Sequence, residues 1–450
     1  MTAIADLHID RVRGTERIAS LDVLRGIAIL LILIMNIAPM GGYEFVLFDV
    51  RYPTWTTADY WTTLFTRTYL EGTQRGLLEL LFGAGIMIMA RRAMTADGPV
   101  EVADLHYRRN LWLCMFGLAN AFLLMWWGDI LLVYGIGAVF LFPFRKLGPR
   151  AQCGLAAIFL SALLVYNFSG YREETAKIQE GERIVAAEAT GKKLSDEDKA
   201  TLKEYRERIE RRTQMPADNA KAKEKIAKAD KAHHSTFGAY WNAQLAGWTF
   251  LMSIFWQIEA EIVATMLIGM ALYQWGIIQG RARREIYWAM LAVGYGVGLS
   301  LRGTLWLDIM EYKPGQHWQQ VFYDISRLAT SLGHLALIQL ILGSPIGRRL
   351  MRPFEAPGRM PLTVYLFTSL LMMWVVFAPW GLDLFGAWGQ AKMLAVATAI
   401  IGAELIAANL WMKRYENGPL EWLWKSLAYQ RREPFRKLGS ETATALPSPI

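Results

Sequence analysis

The sequence predicts an all-α polytopic membrane bundle of about ten transmembrane helices with both termini in the cytoplasm, and three observations carry that expectation. Hydrophobic residues make up 54% of the 450 positions and Trp occurs 18 times, more apolar surface than a soluble fold hides. Apolar runs near the ~20 residues that a crossing requires recur along the chain. The Lys and Arg residues behind the net charge of +8 cluster in short stretches between those runs, as membrane loops facing anionic headgroups do.

The runs fall near 19–40, 74–91, 108–127, 129–147, 151–169, 247–279, 285–302, 319–343, 359–379 and 388–412. The run at 247–279 exceeds one crossing, which implies a kink, a tilt or an extension beyond the bilayer. Ten crossings put Arg11, Arg13, Arg17; Arg91, Arg92, Arg108, Arg109; Arg145, Lys146, Arg150; Arg281, Arg283, Arg284; and Arg348, Arg349, Arg352, Arg359 on the inner side. The short outer segments carry little beyond Arg51, Arg67 and Lys313. Losing or adding one crossing would scramble this alternation. Residues Met1–Ser20 are polar and lack a signal-peptide cleavage pattern, so the first run is expected as an uncleaved membrane helix.

Residues 170–246 break the pattern, being highly charged and poor in aromatics until Tyr240. Long loops cross whatever their charge, so the insert is expected on the periplasmic side. Ser195 and Asp198 form a capping-box-like start to a solvated helix over Ser195–Arg212. A mobile helical hairpin and a docking site for a periplasmic partner are both open for it. The expected organisation is 1–169, an N-terminal membrane half of five helices; 170–246, a charged periplasmic helical insert; 247–429, a C-terminal membrane half of five helices; and 430–450, a cytoplasmic tail.

Segmental placement of the positive charge points to membrane lipids as partners and away from nucleic acid. The two cysteines, Cys114 and Cys153, lie inside apolar runs with no disulfide or metal-type spacing, so no metal site is expected. Phosphate-binding loops, dinucleotide glycine motifs, HExxH and nucleophile elbows are absent from the sequence. Any chemistry must use polar groups within the membrane.

Ionisable residues inside a crossing are costly and mark partners or cavities. Asp22 and Arg25 share a face near the start of the first run, and Asn36 lies eleven residues beyond Arg25 close to the same face. This reads as a structural ion pair or as one wall of a site. The eighth run repeats the device with Asp324 and Arg327, then His334 seven residues past Arg327. Glu79, Glu259, Glu261 and Glu404 are read as unpaired carboxylates, with Glu259 and Glu261 pointing in different directions. Asp129 is expected in a tight turn at the periplasmic surface, as a helix cap.

Arg17–Asn36 (RIASLDVLRGIAILLILIMN) resembles the first-helix signature of the YeiB-like family and, more distantly, the transmembrane acyltransferase superfamily that includes heparan-α-glucosaminide acetyltransferase. Further stretches are similar to YeiB-like proteins: LLFGAGIMI (80–88), GDILLVYGIGA (128–138), MLIGMALYQWGIIQG (266–280), GRMPLTVYLFTSL (358–370) and NGPLEWLWKSLAY (417–429). The resemblance implies a bacterial inner-membrane acyltransferase that moves an acyl group from cytoplasmic acyl-CoA to a lipid, glycan or small molecule. Asn36 matches the asparagine that closes the superfamily's first motif. The histidine expected after it is missing from Tyr43–Asp49, and Ala121, beside Asn120, stands where YeiB-like sequences tend to carry another. A different base is therefore needed. The expected catalytic set is His334 with Asn36, Arg327 and Asp324. Asp22, Arg25, Asp129 and Glu79 are expected as substrate-binding residues. A transporter with intramembrane charges and a non-catalytic scaffold remain open beside this reading.

Overall fold

A computed structural model describes residues 19–43, 56–90, 100–213, 220–311 and 316–437. Arg11, Arg13, Arg17, Arg51, Arg91, Arg92, Lys313, most of Tyr43–Asp49 and the end of the tail lie outside them. The regular secondary structure of the described residues is helical, with an isolated bridge between Tyr415 and Arg436. A helix stands on each expected apolar run. These are α1 (Ala19–Gly41), α3 (Thr73–Ala90), α4 (Val100–Phe122), α5 (Leu131–Leu141) and α6 (Pro149–Ala189) in the first half. In the second half they are α10 (Phe255–Gln274), α11 (Arg284–Met310), α12 (Tyr323–Leu342), α15 (Pro361–Leu370) and α16 (Gln390–Arg414). Shorter helices join them: α2 (Thr57–Phe65), α7 (Asp196–Thr213), α8 (Ala220–His233), α9 (Phe237–Ser253), α13 (Pro345–Met351), α14 (Glu355–Arg359) and α17 (Pro419–Tyr429).

Among the described helices α1, α6, α10, α16 and the stretch Trp318–Leu342 are long and apolar enough to cross a membrane. The pair Pro345–Arg359 and Pro361–Val376, bent by 72°, makes a broken sixth. Helices α1 and α10 are central, with 67% of their apolar windows buried, whereas α6 and α16 are peripheral at 11% and 22%. Ile158 and Val165 on α6 and Ile406 and Leu410 on α16 are exposed, as lipid-facing side chains are.

The central helices meet through glycines that let backbones approach. A Cβ on Gly83 of α3 would press on the Met266 carbonyl of α10, and one on Gly269 would press on the Leu80 backbone. Gly26 of α1 and Gly358 of α14 face each other's backbones in the same way.

The long run splits at Ile254 into α9 and α10. The insert is an antiparallel hairpin built on the extension of α6. Its second arm α7 starts with the expected capping box: the Asp198 N–H donates to Ser195 Oγ (3.0 Å) and the Ser195 N–H to Asp198 Oδ2 (3.3 Å). Arg208 pairs with Glu174, and Arg206 with Glu188, across the hairpin. Helix α8 then docks on the bundle. Tyr43 donates to Asp230 (2.8 Å), the His233 ring stacks on Phe385 at 3.6 Å, and His234 pairs with Asp383 (2.6 Å).

Candidate functional site

Two polar regions lie inside the apolar bundle. The first is a closed network of four charges. On α3, Arg75 and Glu79 are one turn apart and share a face. Across from them stand Glu261 on α10 and Arg327 on α12. Arg327 donates to Glu79 (2.9 Å), to the Gly72 carbonyl (3.1 Å) and to Thr265 (3.2 Å), and it also pairs with Glu261. Arg75 pairs with Glu261 and lies 3.6 Å from Glu79. Arg327 and Glu79 are fully buried. Two cations matched to two carboxylates give no net charge, the condition under which burial is tolerated. Nearby Arg302 of α11 donates to the carbonyls of Thr68, Arg67 and Glu71, which ends the π-helical turn Thr66–Leu70 with a cation.

The network corrects the expectation that Glu79 and Glu261 are unpaired. It also separates Arg327 from Asp324, whose carboxylate accepts from Asn167 of α6 (3.0 Å). Glu404 accepts from Thr368. Glu259 alone of the four keeps both oxygens buried without a hydrogen-bond partner; one of them lies against Gly137 of α5.

The second region is a cavity of about 270 Å³ between α1, α3, α4, α5, α15 and α17, slightly below the roughly 300–1,000 Å³ of ordinary small-molecule sites. Its rim carries four cations from four elements: Arg25 (α1), Arg109 (α4), Arg359 (α14) and Lys425 (α17). Arg25 pairs with Asp22 (3.3 Å) and donates to the Gly358 carbonyl (3.3 Å). Arg109 sits 4.5 Å over the Trp424 ring, whose indole N–H donates back to the Arg109 carbonyl (2.8 Å). Glu421, the carboxylate lining the cavity among the described residues, accepts from the N–H groups of Leu362 (2.5 Å) and Thr363 (3.0 Å) and from the Thr363 hydroxyl (2.5 Å). Its charge is spent on the first turn of α15, so the rim is basic. Below it the walls are apolar, from Ile29, Leu81, Phe82, Ile86 and Leu113, with Tyr134, Tyr365 and Ile130 at the far end.

Asp129 sits behind that far end. Expected in a turn as a helix cap, it is buried there, accepting from Asn120 (2.8 Å) and from the Leu132 N–H in the first turn of α5 (2.9 Å). Asn120 holds the carboxylate there.

Of the expected site residues the cavity takes in Arg25, with Asp22 and Asp129 one contact away, and it excludes Glu79. Asn36 and His334 do not line it. His334 bonds the Tyr295 hydroxyl (2.7 Å) and the Tyr69 carbonyl (2.8 Å), so both ring nitrogens are engaged at a helix contact. His106 is the cavity residue that sequence reasoning missed: it is buried, lines the wall, and bonds the Ala138 carbonyl through Nε2 (2.9 Å). The available signal was the i, i+4 pair His106–Asn110 at the start of α4, two residues outside the apolar run.

Five of the six stretches that resemble YeiB-like proteins contribute to the cavity: Arg25 and Ile29; Leu81 to Ile86; Ile130 to Tyr134; Gly358 to Tyr365; and Glu421 to Lys425. Comparison with known proteins supports that resemblance. Residues 272–431 match a family described as "Protein of unknown function (DUF418)". The chain is 26% identical to "Uncharacterized protein YxaH" of Bacillus subtilis, covering 94% of this chain and 96% of that protein. It is 24% identical to "Uncharacterized protein YeiB" of Escherichia coli, covering 93% and 98%. A 39.9 kDa protein of Bacillus acidopullulyticus is 24% identical over 94% of this chain and 97% of its own length. No solved structure matches the chain.

Proposed function

We propose that this YeiB-like membrane protein is an acyltransferase of the bacterial inner membrane that takes acyl-CoA into the basic-rimmed cavity and passes its acyl group to a lipid, glycan or small-molecule acceptor. One observation carries the reading: four cations surround an apolar cavity built largely from the family-like stretches. Arg25, Arg109, Arg359 and Lys425 supply the charge that phosphates require, with forked guanidinium donors in three of the four. The apolar walls suit a pantetheine arm and its acyl end. Ten crossings with both chain ends in the cytoplasm place the rim on the side where acyl-CoA is found. The charged insert then faces the periplasm, docked through α8 and open to a partner there.

The test is binding to purified protein in nanodiscs. Acetyl-CoA should bind saturably, more weakly as salt rises, and 3′-dephospho-CoA more weakly still. Phosphatidic acid at equal concentration should fail to displace it. Absence of saturable acetyl-CoA binding, or displacement by phosphatidic acid, assigns the rim to lipid headgroups and removes the acyl-CoA reading.

A second reading, a proton-coupled carrier, rests on Glu259, whose carboxyl is buried in the bundle with no hydrogen-bond partner. It predicts substrate-driven proton uptake into proteoliposomes that Glu259→Gln abolishes.

A further inference from the structure

We propose that His106 is the catalytic base of the cavity, accepting through Nδ1 the proton of the group to which the acyl chain is passed. The inference rests on the acyl-transfer reading and moves its chemistry to the rim side of the bundle, away from Asn36 and His334. It starts from the ring's hydrogen bonds. Nε2 lies 2.9 Å from the Ala138 carbonyl, and a carbonyl oxygen only accepts, so Nε2 carries the proton. The Asn110 amide nitrogen, 3.1 Å from Nε2, donates to the His106 carbonyl (2.8 Å) and does not change that assignment. A neutral ring protonated at Nε2 has its lone pair on Nδ1.

That Nδ1 is buried and has no partner among the described residues, on a residue that lines the cavity. A lone pair withdrawn from water with nothing to accept from is costly; a donor brought into the cavity beside this residue would relieve that cost. The ring is held for the task. It stacks on Phe142 at 4.3 Å, and the Ala138 bond fixes its orientation from α5. The charged groups facing it are Arg109 on its own helix and Arg145 after α5, and Arg145 lies 4.1 Å over the same Phe142 ring. No carboxylate pairs with it among the described residues.

The step balances without a further reactant. An acceptor hydroxyl or amine attacks the thioester carbonyl, a new C–O or C–N bond forms, and its proton passes to Nδ1. The C–S bond breaks, and the leaving thiolate takes the proton back from Nδ1 as free CoA. Positioned acid–base groups of this kind contribute roughly 10²- to 10⁴-fold to rate.

The experiment uses full-length protein in nanodiscs with acetyl-CoA and a membrane lipid extract, and reads thiol release together with acetyl-CoA binding. His106→Gln keeps a donor toward Ala138 and lacks a basic lone pair. It should bind acetyl-CoA as wild type does and lose at least about 100-fold in turnover. The wild-type rate should fall tenfold per pH unit on an acid limb, as protonation removes the lone pair, and that limb should be missing from the residual rate of the variant. Retained turnover in His106→Gln, or a flat wild-type profile, overturns the proposal while leaving acyl-CoA binding intact. Wild-type protein that neither binds nor consumes acetyl-CoA takes the acyl-transfer reading down with it. Should the variant fail to fold, the wild-type acid limb decides alone.

Discussion

The arginines of the closed network and those of the cavity rim lie in one bundle, yet they are treated in opposite ways. Arg327 is fully buried and spends its donors on Glu79, Glu261, Thr265 and a backbone carbonyl. Arg25, Arg109, Arg359 and Lys425 stay partly exposed around the cavity, with Arg25 paired to Asp22 and the lining carboxylate Glu421 held by α15. A matched, fully buried set of charges joins helices; cations left partly exposed around a cavity attract an anion. Intramembrane charge alone does not mark a site, and what decides is whether the charges are fully buried or open to a cavity.

The largest effect tests the network. Arg327→Met leaves two buried carboxylates facing one arginine and should cost about 3–5 kcal/mol of stability. Adding Glu79→Gln should recover part of that loss, because Arg75 and Glu261 then remain as a matched pair. Arg109→Ala, or Arg359→Ala, should cost about 1 kcal/mol or less. Denaturation in detergent measures all four variants. Equal losses at the rim and in the network would erase the contrast between them. For ligand binding the order reverses: the double variant Arg109→Ala/Arg359→Ala should weaken acetyl-CoA about 10- to 1,000-fold, from charge-assisted hydrogen bonds of about 1.5–3 kcal/mol each with incomplete additivity.

A finer test uses two glycines two residues apart on α3. A Cβ on Gly85, which lines the cavity, meets nothing within 4 Å, whereas one on Gly83 comes within 3.0 Å of the Met270 nitrogen and closer still to the Met266 carbonyl. Leucine at either position gains the same helix propensity, about 1 kcal/mol, so their difference isolates packing. Gly83→Leu should destabilise by about 1–3 kcal/mol or more. Gly85→Leu should be neutral or stabilising and should abolish acetyl-CoA binding by filling the cavity. Loss of fold in Gly85→Leu would show that the volume is not empty in the working protein.

What the sequence made legible was local. Asp22–Arg25, Ser195–Asp198 and the Asp129 cap are all three-residue spacings, and each is found as spacing requires. The burial of Asp129 was not legible, because it depends on the packing that brings Asn120 of α4 against it. The pairing of Arg75 with Glu261 spans 186 positions, and only packing of α3 on α10 brings the two together. His334 looked catalytic because it is the histidine inside an apolar run. Its partners, Tyr295 and the Tyr69 carbonyl, come from α11 and from the turn before α3. His106 was passed over for the converse reason, sitting in the second turn of α4, two residues before the apolar run, which folding draws into the bundle. His334→Gln should therefore leave acetyl-CoA binding unchanged and cost about 1 kcal/mol of stability, the scale of one lost hydrogen bond. A large loss of turnover without loss of binding would return His334 to the chemistry.

The smallest effect expected lies outside the bundle core, where α8 docks the insert. His233 is half-buried against Phe385 and donates from Nδ1 to the Ala229 carbonyl (2.8 Å), and that desolvation holds its pKa below the ordinary histidine value. Undocked, the ring takes up a proton near its ordinary pKa of about 6.5; docked, it resists until lower pH. The contribution of His233 to docking is therefore complete above that value and declines as pH falls through it toward the docked pKa. The groups around the ring are Asp230, held by Tyr43, and the pair His234–Asp383. Hydrogen exchange of the α8 amides, corrected for intrinsic rate, should rise a few-fold on acidification from pH 7.5 to 5.5. His233→Phe keeps the stack, removes the titrating nitrogen, and should flatten that response. An unchanged slope in the variant would move the sensitivity to His234–Asp383. A rigid α8 at both pH values would make the insert as fixed as the network, which is the property that its open, one-sided contacts argue against.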